Sequence, residues 1–174
     1  RLGFSLKPGR VHDNGLQNVH VRFGDGTALE LMSTGPGRAD ELSAAYERFL
    51  ADGEGGAFLA LDAGPADSVL LRLGGLSDSV RVVRGEAMEW VSFPEGHPFH
   101  PVFFVHIRSR LPDTPGQLNH RNGTAGIAEV WIESSDPEGL ADLLNRFGAS
   151  ACAAGRGPAG VSRGVRLEWR VSGS

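Results

Sequence analysis

The chain has 174 residues, 40% of them hydrophobic and 22% charged, with a net charge of −4, ample for one domain with a sizeable core. That charge and the absence of any basic, aromatic-interleaved run exclude a general attraction to nucleic acid or anionic lipid. The single Cys152 excludes an internal disulfide framework, and no apolar run has membrane length. What remains is a soluble, cytoplasmic protein, and 25 glycines with ten prolines predict many turns and short elements, as in a strand-rich α+β fold.

In chain order, residues 4–7 read as a strand and Pro8-Gly9 as a turn. Residues 18–32 form a β-hairpin about Asp25-Gly26, a pair with the backbone freedom that a tight turn needs. Val19, Val21 and Phe23 fall on one face of its first arm, and Asn18, His20 and Arg22 on the other. In the second arm Leu29 and Leu31 bracket Glu30. With both leucines expected in the core, Glu30 points away from it, into solvent or into a cleft. Residues 38–52 carry Leu42, Ala45, Tyr46, Phe49 and Leu50 at helical spacing and stop at Gly53. A buried strand is expected at 57–61, then a helix from Pro65 to Leu73. Further strands are expected at 80–84, 88–93 and 101–108. Residues 111–126, rich in Pro, Gly and Asn, read as a loop. A strand at 127–133, a helix opened by Ser135, Asp136 and Pro137, and a strand at 165–171 complete the chain.

Several of these segments resemble the glyoxalase-like part of the vicinal oxygen chelate superfamily. The likeness rests on Arg1-Leu2-Gly3-Phe4, Gly9-Arg10-Val11-His12, Gly15-Leu16-Gln17-Asn18, and Gly24-Asp25-Gly26 leading to Ala28-Leu29-Glu30-Leu31. It extends through Pro101-Val102-Phe103-Phe104-Val105-His106-Ile107 and His120-Arg121-Asn122-Gly123 into Ile127-Ala128-Glu129-Val130-Trp131-Ile132. The resemblance implies an α+β fold of repeated βαβββ modules, with a cupped mixed sheet and helices on its outer face. It implies paired modules over 1–110, the first lacking its opening strand and helix, a linker at 111–126, and the start of a further βαβ-type module at 127–174. The missing strand would leave an unpaired edge, to be covered by preceding residues or by a second copy in a homodimer.

The resemblance also implies site residues. Glu30 takes the last-strand metal-ligand position of the first module and His106 the equivalent place in the second. Imidazole and carboxylate both suit Zn, Fe, Mn, Ni or Co. A third ligand position aligns near Phe58, which cannot coordinate. Glu129 occupies a first-strand ligand position of the following module. His12 is implied as a general base or as an orienting group for a substrate carbonyl, beside Glu30 as the other catalytic residue. Asn18, His20 and Arg22 would hold substrate on the cup face, with Trp90 and Phe104 as an apolar wall, joined by Trp131. The loop His97-Pro98-Phe99-His100 would cross the cleft mouth.

Two classes stay open. One is a metal-dependent lyase, isomerase or dioxygenase of glyoxalase type, in which a divalent metal polarises vicinal oxygens and a base moves a proton. The other is a metal-free module that binds or sequesters a small molecule, as a drug-resistance protein would, with no cofactor.

Overall fold

The computed structural model describes residues 2–153 and the backbone strand Val165–Val171. Alternating side chains build the first sheet from β1 (Lys7–Val11), β2 (Leu16–Arg22) and β3 (Ala28–Thr34). The strands pair antiparallel in the order β1-β2-β3. The expected hairpin turn forms, with Gly26 at φ 87°. The Asp25 carboxylate accepts hydrogen bonds from the Thr27 amide at 2.9 Å and hydroxyl at 2.6 Å. This turn sets a register in which His20 faces Glu30, Val19 faces Leu31 and Val21 faces Leu29.

Two expectations are corrected here. Pro8-Gly9 is not a turn: it lies inside β1, where the register shifts between Pro8 and Val11. A proline is tolerated because β1 is an edge strand, and the turn falls at 12–15, closed by the Gly15 amide donating to the His12 carbonyl at 2.9 Å. Leu31 is not a core residue either, being 45% exposed. Val21 and Phe23 on its face are buried, Phe23 by edge contacts with Phe4 and His120. That cover stops short of Leu31.

Helix α1 (Glu41–Ala51) begins three residues later than its apolar spacing suggests, because Asp40 and Ser43 cap it reciprocally. The Ser43 amide donates to the Asp40 carboxylate at 2.8 Å, and the Asp40 amide to the Ser43 hydroxyl at 2.9 Å.

The next elements are β4 (Leu59–Asp62), α2 (Ala66–Leu73), a 3-10 turn over Gly74–Ser79, β5 (Arg81–Arg84), β6 (Met88–Ser92) and β7 (Val102–Ile107). Their sheet runs β4-β7-β6-β5, with β4 parallel to β7 and the other pairs antiparallel. This is a βαβββ module whose first and last strands lie side by side. Then come α3 (Pro115–Leu118), β8 (Thr124–Ile132), α4 (Pro137–Arg146) and β9 (Val165–Val171), with β8 paired to β9. The stretch expected as a loop at 111–126 therefore holds a helical turn and the start of a strand. Sheets of three, four and two strands with four α-helices, among the described residues, make the fold α+β as expected.

The chain divides into two compact units. Among the described residues, one contains the chain through Gly55, Pro112–Val130 and β9 from Leu167; the other contains Gly56–Leu111, residues 131–153 and the first two residues of β9. In the second unit α2 and α4 cover one face of the sheet. Leu61, Phe104, Val91 and Val82 form one cross-strand row there, packed with Val69, Leu73, Leu140 and Leu143.

Candidate functional site

The polar face of the first sheet assembles most of the expected hairpin residues. Directly opposite residues in antiparallel strands share a face, so Lys7, His20 and Glu30 form one row across β1, β2 and β3. Asn18 and Arg22 flank His20 on the same face of β2. The exposed Glu30 carboxylate accepts a hydrogen bond from the Asn18 side-chain amide at 2.6 Å. Asn18 is itself held, its oxygen accepting from the Arg10 backbone N–H at 2.9 Å.

The β1 bulge makes that second bond available. A Cβ on Gly9 would collide with both the carbonyl and the side-chain oxygen of Asn18. Only glycine lets the strand pass close enough for the Arg10 amide to reach Asn18. Beside Asn18 lies an open depression of about 460 Å³, lined in part by Gly9, Arg10, Asn18 and Met32.

Among the described residues the His20 side chain makes no hydrogen bond, and the second Glu30 oxygen accepts none. Tyr46 of α1 belongs to the same neighbourhood. Burial, with the Glu30 charge adding to it, pushes its phenol up to about 12, so it is a neutral O–H donor at ordinary pH. At the other end of the face Asp113 bridges Lys7 at 2.6 Å and Arg22 at 3.0 Å. The Lys7 ammonium, followed by Arg22, holds the Asp113 carboxyl below the usual aspartate range. Sequence reasoning missed Lys7, Tyr46 and Asp113. The period of β2 marks neither neighbour, and Asp113 arrives from 91 residues away.

The other expected residues lie elsewhere. The His12 amide donates to the Leu16 carbonyl in the β1–β2 turn. Leu16 is four strand residues from His20, about 13 Å at the usual rise, so His12 does not join the Glu30 row. Trp90 and Phe104 occupy opposite faces of the second sheet. Phe104 is 1% exposed, its ring 4.1 Å from that of Phe147 on the helix side. Half-buried Trp90 lies on the other face, in a row with Val83 and Val105. His106 is paired with Glu89 on the helix side. That carboxylate is already engaged, accepting from the Ala66 amide at the start of α2 at 2.8 Å and from Arg108. His97 stacks on Phe93 with ring centroids 4.5 Å apart, and its Nδ1 accepts from the Phe99 amide.

Glu30 and His106 belong to different units. Among the described residues no three His, Cys, Asp or Glu side chains gather as a metal site. Among the described residues Glu30 has one imidazole, His20, across the strand pair and no further donor of that kind, a set too small for the three protein ligands of a catalytic zinc. The described donors do not fit a tightly held divalent ion.

A family model described as a glyoxalase-like domain matches residues 1–148. No curated protein and no solved structure matches the chain.

Proposed function

The chain belongs to the glyoxalase-like domain family of the vicinal oxygen chelate superfamily, and from that premise we propose that its polar β1–β3 face binds a small molecule and moves a proton on it. Glu30 is the proton acceptor, Asn18 orients it, and His20 is the second polar contact for the ligand. The observation that carries this reading is the Arg10–Asn18–Glu30 chain of hydrogen bonds. It fixes an exposed carboxylate and, among the described residues, leaves one of its oxygens open beside an unbonded imidazole. Groups positioned in advance by a supporting bond are what proton transfer requires. An imidazole can donate or accept, so His20 suits a carbonyl or hydroxyl oxygen.

The test is solvent deuterium incorporation, followed by NMR, into a panel of small hydroxy-ketones and oxo-acids. The wild-type protein should exchange a carbon-bound proton of at least one of them. Glu30→Gln should lose about 100-fold or more of that rate, the usual share of a positioned base. Exchange that survives Glu30→Gln would refute Glu30 as the acceptor.

A second reading is binding without chemistry. It is favoured by the apolar character of the second sheet's face away from its helices, where Trp90, Val83, Val105 and Phe103 are half-buried. Thermal stabilisation by apolar ligands, lost in Trp90→Ala and unaffected by Glu30→Gln, would support that reading.

A further inference from the structure

We propose that Lys7 and Arg22 form a carboxylate-anchoring subsite beside the His20–Glu30 pair, and that Asp113 is its built-in occupant, displaced when an anionic ligand binds. This deepens the reading of the same face by naming the ligand class, a small carboxylate-bearing molecule.

Three observations carry it. First, the two cations come from adjacent strands and converge on one carboxylate group, one per oxygen. Both are largely buried, with side-chain exposures of 20% and 13%. Two cations gathered under cover around one acceptor make an anion site whatever chain the carboxylate belongs to. Second, Arg22 engages Asp113 through Nε alone, and among the described residues its terminal nitrogens have no hydrogen-bond partner. A guanidinium is a planar fork suited to bidentate carboxylate recognition. Here most of that fork is unspent. Third, the subsite adjoins the polar row. Lys7 is directly opposite His20, and Arg22 is two residues along β2 from it, about 7 Å. A short ligand held by its carboxylate would reach His20 and Glu30 with its other end.

Asp113 enters from the short Pro-bracketed segment that leads into α3, not from the sheet. The turn is closed on itself by the Thr114 amide donating to the Gln117 side chain at 2.9 Å. It can therefore lift without undoing a strand ladder.

The test titrates sodium acetate against sodium chloride at equal ionic strength, so that screening is constant, with binding read by NMR shifts and thermal midpoint. Asp113→Ala empties the subsite; Asp113→Asn keeps the shape and removes the charge, and serves if the alanine variant does not fold. An occupant engaged nine-tenths of the time masks the site about tenfold, so acetate should bind an Asp113 variant about tenfold tighter than wild type. Adding Arg22→Gln to that variant should abolish the gain, and adding Arg38→Gln, which removes an exposed cation outside the site, should leave it unchanged. Equal acetate affinity in wild type and Asp113 variants, or a gain that survives Arg22→Gln, would overturn the proposal. Either result leaves the Glu30 exchange experiment to stand or fall on its own.

Discussion

Phe104→Ala separates the structural aromatics of the second unit from those able to line a site. Phe104 is 1% exposed, and its ring meets that of Phe147 at 4.1 Å with Val91 and Leu61 in the same cross-strand row. Truncation removes a fully buried ring and leaves a cavity between the sheet and α4, a change that costs about 3–5 kcal/mol. The aromatic pair supplies about 0.5–1.5 kcal/mol of that beyond area burial. For a chain of this size each kcal/mol moves the thermal midpoint by about 2–4 °C, so Phe104→Ala should lower it by about 6–20 °C. Urea unfolding followed by tryptophan fluorescence, beside Phe147→Ala and the double variant, measures both terms. The double variant should be less destabilised than the sum of the singles, because the two rings lose a shared contact. Trp90→Ala, on the opposite and only half-buried face, should cost distinctly less. A Phe104→Ala loss under about 1.5 kcal/mol, within the range of tolerated swaps, would refute the assignment of Phe104 to the core.

Gly9→Ala should act on the site through Asn18. Its Cβ would collide with two Asn18 oxygens, so the bulge must shift, at about 1–3 kcal/mol; circular dichroism melts would show the loss, and an unchanged midpoint with unchanged Asn18 NMR shifts would contradict the close approach. Acid stability carries a signature of Asp113. Its folded pKa lies below its unfolded value near 3.8, so its contribution is present above that value and is lost as pH falls through the lower folded one. Wild type should therefore lose stability more steeply than Asp113→Asn below about pH 4, and parallel pH profiles in urea titrations would show that the Lys7 and Arg22 contacts are not kept in solution.

Much of the architecture was legible because its signals are local. The Asp25-Gly26 turn, the alternation through Val19, Val21 and Phe23, and the Pro65 and Asp136 helix starts each depend on neighbours a few residues away. The errors came where a partner outside the local stretch decides. Pro8-Gly9 carries the composition of a turn, yet the free edge of β1 lets it remain in a strand. Leu31 has the period of a core residue, but exposure depends on what covers a face, which period does not encode. His106 occupies a polar slot in an apolar strand, and only cross-strand pairing reveals that it shares the helix-side face with Glu89.

By itself the sequence determined the family, the α+β class and the facing of Asn18, His20, Arg22 and Glu30, because strand alternation dictates which side chains share a surface. Only the tertiary structure decided what those side chains hold. It brought Arg10 within reach of Asn18 through a bulge, Tyr46 of α1 into the field of Glu30, and Asp113 onto Lys7 and Arg22 from a distant segment. The physical reason is one of range: backbone periodicity acts over a few residues, whereas hydrogen bonds, ion pairs and desolvation act between whichever groups the folded chain brings within a few ångströms.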